Sequence, residues 1–292
     1  MVGGLDGEVS ETGREEEADL ERELERRIKE AGIRLIGPNC MGLYYPAQKL
    51  TFGGNMPREP GNVGFLSQSG SHAFRVVGRG GSRGLRFSKV VSYGNALDLN
   101  EANFLDYFAE DPETDIIAAY IEGVKDGRRF FEALRRAAAQ KPVVVLKGGR
   151  SAAGHAAASS HTAALASQMS IWEAAVRQAG ALEVETVEDM VDMILALRNA
   201  GPALGNRVGV LGGAGGGMVE AADLCAEAGL ELPPLPDDMR DALREKLPHA
   251  WDWISNPIDV SITGGGHADT FMLLEMMAAS PDFDAIIANV SG

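Results

Sequence analysis

The stretch GNVGFLSQSGSHAFRVVGRGGSRG, residues 61–84, runs from a short apolar segment through a small, hydroxyl-rich turn into a helical pattern. NVGFLS reads as a strand and HAFRVVGRGGSRG as a helix, so the turn carries the chain from a strand's carboxyl end to a helix N-terminus. The same unit recurs downstream. FSKVVSYG (87–94), DIIAAYIEG (115–123), KPVVVLKGG (141–149) and ALEVET (181–186) are Val- and Ile-rich runs without strict polar alternation, as suits strands buried on both faces. Helical patterns separate them: ANFLDYFAEDPE, RRFFEALRRAAAQ and AALASQMSIWEAAVRQAG. The order βαβα predicts an α/β fold with a doubly wound parallel sheet, in which ligands gather in the loops after the strands' carboxyl ends.

Working outward, EEEADLERELERRIKEA (15–31) sets Leu20, Leu24 and Ile28 four apart, one apolar stripe on a charged helix. GIRLIGPN (32–39) then reads as a short strand ended by Gly37 and Pro38. Toward the other end, NRVGVLGGAGGGMVEAADLCAEAG gives a strand, a glycine loop and a helix with Met218, Ala222, Cys225 and Leu230 near its apolar side. A short helix, the helix TFMLLEMMAAS and the strand AIIANVSG follow, at most three strands' worth of sheet. The expected organisation is 1–45, the remnant of a preceding α/β domain; 46–203, the main α/β domain; and 204–292, a second, truncated α/β domain.

Composition narrows the function. Across 292 residues, 45% are hydrophobic and 24% charged, which describes a globular chain and not a disordered one. A net charge of −15 argues against a nucleic-acid or anionic-membrane surface, so any anionic ligand must be held locally. Cys40 and Cys225 stand apart with no metal-ligand spacing, so no metal site is expected, and they fit a reducing cytoplasm. No apolar run approaches the roughly 20 residues that span a bilayer, and the acidic N-terminus lacks a basic leader region.

Four places carry chemistry. Ser69, Gly70 and Ser71 stand where free backbone N–H groups and the positive end of a helix dipole would favour an anion, although either serine could simply cap the helix. A nucleophile elbow, with Ser69 attacking an acyl carbon and His161 as base, would make a serine hydrolase, but Ser67 occupies a position where that motif needs glycine. Glu122 ends a strand where it could orient a histidine, or be a solvated loop acid. Gly94, Asn95 and Asp98 could line the same crevice or form an Asx-type turn. LGGAGGG (211–217) lacks the GxGxxG spacing, and no GxxxxGK[ST] occurs.

His161 is the fourth. Leu165, Met169, Trp172 and Val176 form a stripe that starts a helix just after it, with Ser159, Ser160 or Thr162 able to cap. The helix dipole opposes a protonated ring there, so the neutral, nucleophilic imidazole is favoured, and a phosphoryl group placed on it would meet the dipole favourably. An ordinary loop histidine, or a role for His155 instead, stays open on position alone.

Taken together, IRLIGPNCMGL, GNVGFLSQSGS, VVSYGNALDLN, EDPETDIIAAYIEGVKDGRRF, KPVVVLKGGRSAAG, SSHTAALAS and SNPIDV resemble, in order, segments of the NDP-forming acyl-CoA synthetases, the superfamily of ADP-forming acetyl-CoA synthetases and the succinyl-CoA synthetase alpha subunit. The resemblance runs from about Leu20 to the end. It implies flavodoxin-like domains of the succinyl-CoA synthetase type, a phosphorylated histidine at His161, a hydrogen bond to it from Glu122, and phosphate held by Ser69, Gly70 and Ser71 with Ser160 and Thr162 beside the histidine. It implies reversible conversion of acyl-CoA, phosphate and a nucleoside diphosphate to a carboxylic acid, CoA and a nucleoside triphosphate. The cofactors are CoA and ATP/ADP with Mg2+ in the complete enzyme, with none held tightly by this chain alone. The partners are an ATP-grasp domain or subunit and a CoA-binding domain or chain. Ala163 and Ser167 stand where the family commonly has glycine; the resemblance begins near the last helix of the family's CoA-binding domain, of which 1–45 would be the remnant, and includes no ATP-grasp domain. A noncatalytic binding or regulatory module is therefore the alternative.

Overall fold

The computed structural model describes residues 15–51, 53–54, 56–150, 169–199, 204–264 and 266–289. The chain divides into two compact units, Met1–Asn199 and Ala200–Gly292.

In the first unit, helix α1 (Glu15–Ala31) leads to strand β1 (Gly42–Tyr44). Then come β2 (Val63–Ser67), α2 (Gly70–Ser82), β3 (Phe87–Ser92), α3 (Glu101–Glu110), β4 (Ile116–Ile121), α4 (Gly127–Ala138) and β5 (Val143–Lys147). After the histidine segment follow α5 (Met169–Ala179), β6 (Leu182–Val184) and α6 (Val187–Asn199). The sheet order is β1-β3-β2-β4-β5-β6, with every neighbouring pair parallel except β1 against β3. Leaving out β1, this is the flavodoxin-like order 2-1-3-4-5. β2 to β5 are buried along their whole length, as their lack of strict polar alternation predicts.

Alternation of side chains splits the core into two layers. Ile117, Ala119 and Ile121 of β4 pack with Phe104, Phe108, Phe130, Leu134 and Trp172 beneath α3, α4 and α5. Ile116, Ala118 and Tyr120 face the other way, with Val76, Met190 and Ile194 beneath α2 and α6. The α6 helix is missing from the sequence reading. Its buried Val187, Met190, Val191 and Ile194 follow the i, i+3, i+4, i+7 spacing that would have revealed it.

One element expected from the sequence is not there. Residues 32–39 form no strand, and the first strand is Gly42–Tyr44, antiparallel at the edge. The backbone of the 32–39 segment finds irregular partners instead. Leu35 N–H donates to Asp98 Oδ2 (2.7 Å), and the Leu35, Gly37 and Pro38 carbonyls accept from Leu99, Leu97 and Asn95. The apolar stripe on α1 is buried only toward its end: Ile28 is buried, Leu24 half-buried and Leu20 60% exposed.

The second unit holds β7 (Val208–Gly212), α7 (Gly215–Glu227), α8 (Asp237–Lys246), β8 (Ile258–Asp259), α9 (His267–Ala279) and β9 (Ala285–Asn289). Its sheet is a parallel three-stranded one in the order β8-β7-β9. Met218 and Cys225 of α7 are buried, as the sequence pattern indicated. Leu211, Leu243, Ile258 and Leu273 form the larger core on the other side.

Candidate functional site

In the first sheet the strand order reverses between β2 and β4, so the crevice where ligands bind such folds lies at the carboxyl ends of these two strands. β2 ends in Ser67 and the turn Gln68–Ser69, and β4 ends just before Glu122. Two of the residues marked out in the sequence, Ser69 and Glu122, therefore flank one topological switch point.

The turn after β2 is tied down from below. The buried Ser67 donates its hydroxyl to the Ser69 carbonyl (2.6 Å), and Tyr93 N–H donates to the Ser67 carbonyl (2.9 Å). Ser69 is the N-cap of α2 in an extended conformation (φ −108°, ψ 128°), accepting from His72 N–H at 3.4 Å. That is an ordinary capping geometry, without the strained backbone of a nucleophile elbow, and it counts against the hydrolase reading. Ser69 Oγ also lies 3.0 Å from Ser71 Oγ and 3.2 Å from His72 Nδ1. The His72 ring stacks on Tyr120, with centroids 3.9 Å apart, and burial, with help from Arg75, pushes its pKa down. A hydroxyl pair, a neutral ring and open N–H groups at a helix start suit an anion.

Glu122 is held on every side of its backbone. Gln68, itself buried, accepts from Glu122 N–H (2.8 Å) and Gly123 N–H (3.0 Å) through Oε1, while its own N–H donates to the Tyr120 carbonyl (3.0 Å). Lys147, 5% exposed at the end of β5, donates Nζ–H to the carbonyls of Glu122 (2.6 Å) and Gly148 (2.5 Å). Burial pushes the Lys147 pKa down against the opposing charges of Glu122 and Glu183. Burial, together with the neighbouring Glu122 carboxylate, pushes the pKa of the Tyr120 phenol well up. Gly148 makes the pair possible, because a Cβ there would lie 2.5 Å from the Tyr120 hydroxyl and 3.0 Å from Glu122 Cγ.

Gly94 and Asn95 follow β3 and pack on the 37–39 segment. Gly94 adopts φ +52°, and a Cβ there would lie 2.0 Å from the Asn39 carbonyl oxygen, so only glycine fits. Asn95 meets Asn39 through their side-chain amides (3.3 Å), and its carbonyl accepts from Lys125 Nζ (3.0 Å). The structure turns the Asp98 carboxylate to Arg34 (3.0 Å) and to the Leu35 N–H, and the Arg34 guanidinium holds its pKa below the usual range. His161, Ser160 and Thr162, and with them His155, Ser159, Ala163 and Ser167, lie outside the described residues. Two cavities, of about 770 and 320 Å3, open elsewhere, beside Tyr44 at the β1 edge. Among the described residues no group of three or more His, Cys, Asp or Glu side chains could hold a metal ion, and no helix is long and apolar enough to cross a membrane.

Sequence reasoning missed Gln68, His72, Tyr120, Lys147 and Gly148. One signal was available: Lys147 closes the otherwise apolar run VVVLK, an unusual place for a charge in a strand buried on both faces.

Comparison with known proteins bears on the same region. The family profile described as succinyl-CoA ligase like flavodoxin domain matches residues 60–197. The alpha subunit of the ADP-forming acetate–CoA ligase II of Pyrococcus furiosus is 37% identical over 282 residues, 97% of this chain and 60% of that subunit. The ADP-forming acetate–CoA ligase I of Archaeoglobus fulgidus is 40% identical over 278 residues, covering 93% of this chain and 39% of that protein. Among solved structures, the dinucleotide-forming acetyl-CoA synthetase 1 of Ca. Korarchaeum cryptofilum, in complex with phosphate and ADP, superposes with a TM-score of 0.83 at 35% identity. That match covers 96% of this chain and 60% of the other. The chain thus spans 60% or less of the length of these relatives. The chain carries a succinyl-CoA ligase-like flavodoxin domain at its centre and is similar to ADP-forming acetate–CoA ligases along almost its whole length.

Proposed function

We propose that this chain is the phosphoryl-carrying part of an NDP-forming acyl-CoA synthetase. The complete enzyme interconverts acyl-CoA, phosphate and a nucleoside diphosphate with a carboxylic acid, CoA and a nucleoside triphosphate. The single observation that carries the reading is the switch point itself, where Gln68 joins the Glu122 loop to the Ser69–Gly70–Ser71 helix start through two hydrogen bonds. A carboxylate to orient an imidazole and a helix terminus to receive a phosphoryl group are thereby held together.

In this mechanism phosphate displaces CoA from the acyl-CoA, giving an acyl phosphate and free CoA. A neutral His161 nitrogen attacks phosphorus, the bond to the acyl oxygen breaks, and the carboxylate leaves. Glu122 accepts the other ring N–H, which fixes the tautomer and stabilises the phosphorylated ring. The N–H groups at the start of α2 and the hydroxyls of Ser69 and Ser71 donate to the phosphoryl oxygens, with Ser160 and Thr162 assigned to the same group. The phosphohistidine then passes its phosphoryl group to the nucleoside diphosphate on an ATP-grasp domain or subunit, where Mg2+ would also bind. CoA contacts are assigned to a CoA-binding domain of which residues 1–45 are the end. Residues 46–203 and 204–292 are assigned as the phosphohistidine-bearing and second flavodoxin-like domains, and Gly94, Asn95 and Asp98 to the substrate crevice. The reaction is assigned to the cytoplasm.

The test combines the full chain with its nucleotide-binding partner and labelled ATP. Acid-labile, base-stable label on His161 is expected, abolished in His161→Asn and reduced about a hundredfold or more in Glu122→Gln. A competent partner that leaves the chain unlabelled would overturn the proposal and favour the noncatalytic module, for which Ala163 in the place of a glycine speaks.

A further inference from the structure

Lys147 is a charged group beside the switch point to which the mechanism gives no task. It is a cation 5% exposed, at the end of a strand buried on both faces, and its hydrogen bonds go to carbonyls: Glu122 at 2.6 Å and Gly148 at 2.5 Å. Its Nζ also lies 5.6 Å from the centroid of the Trp172 ring. Taking an ammonium out of water is costly, and a neutral side chain of similar length would be cheaper to bury among these neighbours. Stability alone therefore does not account for a lysine there.

The contacts of Glu122 supply the account. Its N–H is taken by Gln68 and its carbonyl by Lys147. Gln68 follows β2 and Lys147 ends β5, so Lys147 ties the Glu122 loop to the strand that leads toward the histidine segment. Resting on the phosphohistidine reading above, we infer that Lys147 is a positioning residue that fixes the Glu122 backbone, and through it the carboxylate that orients the phosphoryl-accepting histidine. It touches no reacting atom, and its effect on the reaction runs through Glu122. A loss of alignment of this kind slows a transfer step without weakening binding of the remote substrate parts.

The experiment uses the full chain with its nucleotide-binding partner and follows the rate of His161 labelling from ATP, KM for ATP, and the urea midpoint. In Lys147→Met the labelling rate is expected to fall about tenfold to a hundredfold, with KM within twofold and the urea midpoint unchanged or higher. Lys147→Gln keeps an N–H donor for the carbonyl and should recover at least threefold over the methionine variant. It also preserves the test if the methionine variant fails to fold. In the Glu122→Gln background the lysine substitution should cost nothing further. A labelling rate within twofold of the unmodified chain, a rate and midpoint that fall together, or a full additional loss in the double variant would each overturn the inference. Absence of labelling in the unmodified chain would instead overturn the phosphohistidine reading, so the two failures are distinguishable.

Discussion

Glu101 is the first residue of α3, behind the N-cap Asn100, and only 2% exposed. Burial raises its pKa to about 7, against the smaller opposing effects of its own backbone N–H and Lys125. Because the folded pKa lies above the unfolded value near 4.5, the folded chain binds the proton more tightly. The stability this provides is complete below about pH 4.5 and is lost as pH rises to about 7. Glu101→Gln should therefore leave stability nearly unchanged at pH 4.5 and raise it by about 2–3 kcal/mol at pH 8. Urea titrations of both proteins at the two pH values check this. At this scale the sequence is uneven evidence. Ser69 and Glu122 were legible because strand-to-loop junctions can be read from apolar runs. Gln68, Tyr120 and Lys147 were not, because their roles depend on which strands become neighbours, and neighbours 54 and 25 residues apart leave no local pattern.

Among the elements, the antiparallel β1 closes the β3 edge, and an ionic cluster sits beneath it. Lys89 of β3 donates to both oxygens of Asp111 (2.9 and 2.8 Å) and also contacts Glu113, while its ammonium lies 4.7 Å from the Tyr45 ring centroid. The lysine and aspartate side chains are 11% and 5% exposed. Burial alone would raise the Asp111 pKa, but hydrogen bonds from Lys89 and Thr114 outweigh it and hold the carboxyl below its usual range. Removing the lysine leaves a buried carboxylate uncompensated, so Lys89→Ala should destabilise the first unit by about 3–5 kcal/mol at pH 7. The stability linked to Asp111 is present above its unfolded pKa and lost as pH falls through the lower folded value, so the penalty should shrink in acid. Equilibrium unfolding between pH 3 and pH 7 reads both. The parallel strands were legible from Val- and Ile-rich runs without strict polar alternation. The 32–39 segment was misread because its apolar spacing resembles a strand, while its polar backbone groups are satisfied by the Asn95–Leu99 loop and not by a ladder. That substitution of one partner for another is a tertiary effect.

Over the whole molecule, a net charge of −15 leaves the α2 start with its two hydroxyls, and not a basic surface, as the place that suits an anion. Right-handed crossovers limit the orders open to five parallel strands, but the position of the reversal between β2 and β4 is a matter of pairing, which only the folded sheet specifies. The bridge from Gln68 to the amides of Glu122 and Gly123 has a consequence for local opening. Loop amides ordinarily exchange their hydrogens with solvent through small fluctuations. These two are bonded to a buried side chain in the turn after a different strand, so their release requires the β2 turn and the β4 loop to separate. Amide exchange by NMR should therefore find Glu122 and Gly123 protected as strongly as the central strands, an island of slow deuterium uptake within a connecting loop.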